Sequence, residues 1–204
     1  MNNLNGYLYF LKSSLGPHLL PRFSPAPPSA STQELIKQIH SLSELHHYLE
    51  NLFPDFESPK GSFQSKILIS IAHPNPHQKY FLQGPELQLF SKMIHAMKLN
   101  LDQIYLTTWN KTIHGNQELL NQIITREIEL LQPKIILNFG LNPYFHGKST
   151  SLQDFRNFQD FISSNTFFHC PLLSTHSVEH LLINANLKSE TWIDLQKVMK
   201  CLEK

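Results

Sequence analysis

The stretch HCPLLSTHSVEHLLINANLKSETWIDLQKVM, residues 169–199, carries the most information about the architecture. Its pattern predicts a buried strand over 170–174, a loop that contains His176, and an amphipathic helix over 188–202. The inward face of that helix is predicted to hold Trp192, Leu195, Val198 and Leu202. A strand, a polar loop and a helix in this order are typical of an α/β protein.

A second stretch, KILISIAHPNPHQKYFLQG at 66–84, predicts an early strand, Lys66–Ala72, followed by a polar loop. Further strands are predicted at 103–108 and 134–140, and the last of these, KIILNFG, has the continuous apolar run of a parallel strand covered on both faces. Helices are predicted at 32–52, at 85–98, at 117–131, and around Leu152, Phe155, Phe158 and Phe161. The alternation predicts a three-layer αβα fold with a central four-stranded parallel sheet.

The chain divides into three predicted parts. Residues 1–16 carry Leu4, Tyr7, Leu8, Leu11 and Leu15 at helical spacing, and 17–31 form a proline-rich linker. Residues 32–204 form one globular domain. An apolar helix on such a linker is either a docking peptide for a partner or a segment that folds back on the domain, and the sequence favours neither.

Charge and cysteine content limit the classes of function. The 17 basic and 16 acidic residues give a net charge of +1, so any contact with DNA must depend on a local patch. Cys170 and Cys201 form no CxxC pair, which makes a cytoplasmic protein without a disulfide framework the default expectation. We expect no signal peptide, because the apolar N-terminal run is short and has neither a basic n-region nor a small-residue cleavage site. We expect no membrane span, because no run approaches the roughly 18 apolar residues required.

Three predicted loops bring polar side chains to one edge of the sheet, since parallel strands end at the same edge. The residues are His73, Pro74, Asn75, Pro76 and His77 after the first strand, Thr108, Trp109 and Asn110 after the second, and Thr175, His176 and Ser177 after the last. A histidine, an asparagine and an aromatic side chain can together hold a planar polar ring. A metal at His73 and His77 is not expected, because no acidic third ligand stands nearby.

The order of these segments resembles that of the family-4 uracil-DNA glycosylases. The resemblance covers about 32–200 and is carried by KYFLQGPELQLFSKMI (79–94), YLTTWNKT (105–112), IELLQPKIILNFG (128–140), STHSVEHLL (174–182) and KSETWIDL (188–195). It implies a uracil-DNA glycosylase-like fold in which Phe81 stacks on a flipped base and His176 stabilises the departing uracil anion. It also implies that His73, Thr108 and Asn110 contact the base, and that Ser177 and Val178 belong to a loop inserted into DNA.

The same loops depart from the family pattern. No Asp or Glu stands between Glu57 and Glu86, so the first loop lacks the family's water-handling carboxylate. Thr108 replaces an expected asparagine, and Thr112 stands where an iron–sulfur cysteine belongs, so no cofactor is expected. The triplet Pro74-Asn75-Pro76 resembles the mismatch-specific branch of the superfamily, in which Asn75 would position the water; otherwise Asn75 is a turn residue between two prolines.

These features support three functional hypotheses. The first is a catalytically degenerate accessory protein of DNA replication or repair, similar in arrangement to the psi subunit of bacterial DNA polymerase III, with Tyr7, Leu8 and Leu11 as partner anchors. The second is an active or slow DNA glycosylase in which Asn75 and His176 carry the chemistry. The third is a stable relic of the fold that binds some other planar ligand.

Overall fold

The computed structural model describes residues 30–52, 58–72, 82–108, 117–141, 143–146, 152–153, 156–162 and 169–203. The predicted N-terminal helix and the linker therefore lie outside the described residues, apart from the last two linker positions. The helices are α1 (Ala30–Gln38), α2 (Leu42–Leu52), α3 (Gly84–Ala96), α4 (Gln117–Leu131), α5 (Pro143–His146), α6 (Val178–Ile183) and α7 (Leu187–Leu202). The strands are β1 (Lys60–Gly61), β2 (Ile67–Ile71), β3 (Tyr105–Thr107), β4 (Ile135–Phe139), β5 (Gln159–Ile162) and β6 (His169–Thr175).

The described strands form one mostly parallel sheet in the order β1-β3-β2-β4-β6-β5. The four inner strands β3, β2, β4 and β6 are parallel to one another, and they are the four strands that the sequence predicts. The edge strands β1 and β5 each run antiparallel to their neighbour. The α/β class is confirmed, whereas the predicted count of four strands is wrong because neither edge strand was predicted.

The predicted helix around Leu152–Phe161 is also wrong over 159–162, which form β5. Gln159 pairs with Leu172, and Ile162 pairs with His169, along the outer side of β6. Apolar residues three apart fit a helical face, but a short apolar run does not distinguish a helix from a strand. Here the backbone groups at the edge of the sheet are paired by β5, which the local pattern does not reveal.

The predicted helix 32–52 is two helices, α1 and α2, separated at residues 39–41. Ser41 Oγ accepts a hydrogen bond from the Glu44 backbone N–H at 3.2 Å, and Glu44 Oε2 accepts one from the His40 N–H at 3.1 Å. This reciprocal arrangement resembles a capping box, the Ser-x-x-Glu signal that starts a new helix. The signal was therefore present in the sequence as Ser41 and Glu44.

Helices cover both faces of the sheet because alternate residues of each inner strand point to opposite sides. Ile67, Ile69 and Ile71 pack against α3 and α7, whereas Leu68 packs with Ile136 against α4. A third apolar cluster joins α1 and α2 to α4. None of the described helices is long and apolar enough to cross a membrane.

Candidate functional site

The ends of the inner strands meet closely at the loop edge of the sheet. Ala72, Gly140 and Ser177 follow the ends of β2, β4 and β6. Gly140 has a φ of +92°, and a Cβ at this position would lie 3.2 Å from both Ala72 Cβ and Ser177 Cβ. A glycine is required here because the backbone conformation and the close approach both disfavour a side chain.

A cavity of about 660 Å³ opens beside this junction. Its apolar lining residues are Ala72, Leu141, Leu152, Ile183 and Leu187, and its polar lining residues are His176, Ser177, His180 and Asn184. The volume lies within the range of about 300–1,000 Å³ that is usual for small-molecule sites. Its position outside the carboxyl ends of the parallel strands is where α/β proteins bind ligands.

His176 lies at this cavity and contacts a carboxylate. Its Nε2 atom is 3.2 Å from Glu190 Oε2, at the start of α7. The pKa of Glu190 is lowered, mainly by the hydrogen bond from His176 and next by the charge of Arg156. This carboxyl group is therefore ionised at neutral pH. A carboxylate can only accept, so Nε2 of His176 carries the hydrogen and a neutral ring is left with Nδ1 as an acceptor.

Arg156 connects this pair to a buried aspartate. Its guanidinium group donates from Nη1 to Glu190 and from Nε to Asp194 Oδ2 at 2.9 Å. Asp194 is fully buried, and it also accepts from Thr175 Oγ1 at 2.9 Å and from Lys197 Nζ at 3.2 Å. The network thus ties the end of β6 and the base of the His176 loop to α7.

Sequence reasoning did not identify Arg156, Glu190 or Asp194. A signal was nevertheless present, since Glu190 and Asp194 are four residues apart on a predicted amphipathic helix and so share its face. Asp194 is next to Leu195, which is predicted to point into the core. Burying an unpaired carboxylate costs free energy, so the position of Asp194 implies a cationic partner. Trp192, in contrast, was predicted to point inward but is 37% exposed, because the buried face of α7 is formed by Thr191, Asp194, Leu195 and Val198.

The two predicted DNA-loop residues have structural roles. Ser177 is the N-cap of α6, and its Oγ accepts a hydrogen bond from the His180 N–H at 3.3 Å. Val178 is buried in the apolar cluster beneath α3 and α7. Neither α6 nor its cap was predicted, although a serine directly before a helix is a common start signal.

Thr108 is buried at the end of β3. The other predicted base-binding residues, His73, Phe81 and Asn110, lie outside the described residues, as does the predicted catalytic residue Asn75. The predicted partner anchors Tyr7, Leu8 and Leu11 lie outside them as well. Of the predicted site residues, the described structure therefore brings together His176, Ser177 and Val178 at the loop edge.

Two carboxylates that the sequence reasoning passed over also reach this edge. Glu86, in the first turn of α3, and Glu179, in the first turn of α6, line a small recess together with Ala72 and Ser177. Partial burial, and then the negative charge of Glu179, raise the pKa of Glu86. These two carboxylates therefore repel each other at the loop edge.

A second histidine–carboxylate pair lies on the other face of the sheet, among α2, β3 and α4. The Tyr105 hydroxyl donates to Glu127 Oε1 at 2.7 Å and lies 2.9 Å from His46 Nε2, which must then be the donor. The His46 and Glu127 side chains are 3.7 Å apart and are 7% and 1% exposed. Burial, and then the charge of Glu127, raise the pKa of Tyr105.

A row of buried polar residues runs across the same face, one layer below the loop edge. Thr107, Ser70, Asn138 and Ser174 are register partners on the four inner strands. Asn138 Nδ2 donates to the Gly140 carbonyl at 2.7 Å, but Asn138 Oδ1 and Ser70 Oγ have no hydrogen-bond partner among the described residues. Buried polar atoms of this kind usually bind internal water.

Within the described ranges, no three His, Cys, Asp or Glu side chains lie close enough together to hold a metal ion. His73 and His77 lie outside those ranges. A search with protein-family models and a search of curated protein sequences each gave no match to this chain.

Proposed function

We propose that this chain has the uracil-DNA glycosylase fold with a degenerate catalytic site, and that it acts as an accessory protein in DNA replication or repair. The mostly parallel sheet and the position of His176 at its loop edge are consistent with the resemblance in sequence. The proposed partner is a replication or repair protein bound through the N-terminal segment, with Tyr7, Leu8 and Leu11 as anchors. This arrangement is similar to that of the psi subunit of bacterial DNA polymerase III.

The hydrogen bond between His176 and Glu190 is the observation that carries the proposal. To stabilise a departing base anion, a neutral histidine must donate its single N–H to that base. In this chain the N–H on Nε2 is directed at Glu190, and Arg156 holds Glu190 in place. When the ring is neutral, its other nitrogen, Nδ1, is therefore an acceptor, which repels an anionic leaving group.

The charges at the loop edge support the same proposal. A glycosylase must bring the phosphate backbone of DNA to this edge, and binding to phosphates depends on Lys and Arg. Glu86 and Glu179 line a recess there and repel phosphates, while Arg156 is occupied by Glu190 and Asp194. This arrangement disfavours the insertion of the α6 region into DNA.

The alternative is a slow uracil-DNA glycosylase, and the cavity beside His176 favours it. Ala72 lines the cavity, and Asn75 follows it by three positions in the sequence. Under this alternative Asn75 positions the water, Phe81 stacks on the base, and a protonated His176 stabilises the uracil anion. The missing general base lowers the rate by roughly 10²–10⁴.

A single-turnover uracil-excision assay with excess protein distinguishes the two. The substrates are single-stranded DNA and mismatched duplex DNA that contain uracil, with a no-protein control. We expect no abasic product above that control from the wild type. Excision by the wild type that falls in both Asn75→Ala and His176→Ala would contradict the proposal and establish the glycosylase.

Limited proteolysis tests the docking role of the N-terminal segment. An accessible docking arm is cut early within 17–31, and this releases the apolar residues 1–16 from an intact domain. Protection of 17–31 until the domain itself is degraded would contradict a docking arm. It would indicate that the segment packs on the domain.

A further inference from the structure

The surface of α6 combines an exposed apolar side chain with a cavity. Ile183 is 78% exposed, the highest value among the large apolar residues described as exposed, and it lines the cavity together with Leu152 and Leu187. Leu182 beside it is 40% exposed. An apolar side chain at the rim of a mostly apolar cavity is typical of a binding surface.

Negative charge lies on one side of this apolar rim. Glu179 precedes Ile183 by four residues on α6, so the two side chains are neighbours about 5–6 Å apart at Cβ. Glu86 of α3 shares a recess with Glu179, and Ser177 lines both this recess and the cavity. Each of these carboxylates raises the energy of the other, and a cation placed between them would relieve the repulsion.

We propose that the α6 surface, formed by Ile183, Glu179, Glu86 and the cavity beside them, docks a peptide segment of a partner protein that carries an apolar side chain next to a Lys or Arg. The apolar side chain enters the cavity against Ile183, and the basic side chain contacts Glu179 and Glu86. This inference names the class of partner for the proposed accessory role, and so it rests on that role.

The chemistry of the surface selects this occupant over nucleic acid. Phosphates are repelled by the two carboxylates, whereas a Lys or Arg side chain is attracted by them. The cavity is lined by several aliphatic side chains, which suit the apolar anchor of a peptide. Glu179 and Ile183 are one helical turn apart on α6, about 5–6 Å between Cβ atoms. A peptide whose basic residue lies about 5–6 Å from its apolar anchor can therefore contact both side chains at once.

The test is a selection of random peptides displayed on phage against the full-length protein, followed by fluorescence anisotropy of the recovered peptides. We expect recovered peptides to combine a large apolar residue with a nearby Lys or Arg. Replacement Ile183→Asp should weaken their binding about tenfold or more. Ile193→Asp on α7, at a side chain that is 53% exposed and does not line the cavity, is the matched control and should leave binding unchanged.

The charge component has its own pair of variants. The double variant Glu86→Gln and Glu179→Gln should weaken binding about three- to tenfold and reduce its dependence on salt, because a screened attraction is lost. Glu203→Gln, at an exposed carboxyl past the end of α7, should change neither property. Recovered peptides without enrichment of Lys or Arg would overturn the proposal.

Three further outcomes would also overturn it. These are the absence of any recovered peptide, equal binding by wild type and Ile183→Asp, and displacement of the peptide by a single-stranded oligonucleotide at comparable concentration. The uracil-excision assay is measured separately. Excision by the wild type would refute the accessory role, while peptide binding that depends on Ile183 would still establish the docking surface.

Discussion

His46 and Glu127 form a pair between α2 and α4, whereas His176 and Glu190 form a pair at the loop edge of the sheet. The first pair is almost completely buried, and the Tyr105 hydroxyl lies within hydrogen-bond distance of both residues. The second pair is in direct contact at 3.2 Å, with Glu190 46% exposed. The two pairs have the same chemical groups in different surroundings.

The difference in burial determines what each pair can do. Inside the protein, Glu127 needs its partners because an unpaired buried carboxylate is costly. At the edge, Glu190 can be hydrated, so its contact with His176 contributes little to stability and mainly sets the direction of the imidazole N–H. We therefore expect changes to the first pair to alter folding, and changes to the second pair to alter the chemistry of the site.

The largest expected effect is that of Glu127→Ala. Removing this carboxylate leaves the Tyr105 hydroxyl without its buried acceptor and takes the negative charge away from His46, and should lower the free energy of unfolding by about 3–5 kcal/mol. Urea unfolding measures the change. Glu118→Ala, at an exposed residue of the same helix, is the control and should stay within about 0.5 kcal/mol. Equal effects of the two variants would contradict a structural role for the buried pair.

Asp194→Ala should have the next largest effect, because it removes the buried anchor behind the second pair. Arg156, Lys197 and Thr175 all lose an acceptor. Arg156 and Lys197 can be hydrated in part, so we expect a loss of about 2–3 kcal/mol in unfolding free energy. A decrease in unfolding free energy of less than about 0.5 kcal/mol would mean that the hydrogen bonds between β6, Arg156 and α7 do not stabilise the fold.

Tyr105→Phe should cost about 1–2 kcal/mol at neutral pH, because one hydroxyl and its hydrogen bonds are lost. It should also change the response to alkali. Since the pKa of Tyr105 is raised in the folded state, its contribution to stability is present below its ordinary value of about 10 and is lost as the pH rises above it. Urea unfolding above about pH 10 should therefore show a steeper loss for the wild type than for Tyr105→Phe. Parallel losses would contradict a buried hydroxyl at this position.

The smallest expected effect on stability is that of Glu190→Gln, which should leave the midpoint of urea unfolding unchanged. The pKa of Glu190 is lowered by His176 and Arg156, so the contact is present above the ordinary value of 4.5 and is lost as the pH falls. Carbon NMR should show the Glu190 carboxyl titrating below 4.5, and the titration should move upward in His176→Ala. An unshifted titration in that variant would mean that the two side chains do not interact in solution.

The inner strands could be predicted from sequence because continuous apolar runs such as KIILNFG are typical of buried parallel strands. The predicted helix 117–131 matches α4 at both ends, since its apolar stripe is long and regular and Pro133 follows it. The edge strand β5 could not be predicted, because its pairing with β6 depends on a distant part of the chain. The break between α1 and α2 was encoded locally by Ser41 and Glu44 and was missed.

The site was predictable only in part for a similar reason. The loop position of His176 followed from the strand before it, but its partner Glu190 lies 14 residues later on α7. Arg156 reaches Asp194 across 38 residues. Such contacts depend on how elements pack, and a pattern of apolar residues does not specify which polar side chains meet.

The position of the hydrogen on the His176 ring tests the central claim most directly. Long-range proton–nitrogen NMR at neutral pH distinguishes the two neutral tautomers in the wild type and in Glu190→Ala. We predict that the hydrogen lies on Nε2 in the wild type, and that this preference is lost in the variant. A hydrogen on Nδ1 in the wild type, or a preference for Nε2 that survives the removal of Glu190, would contradict the account.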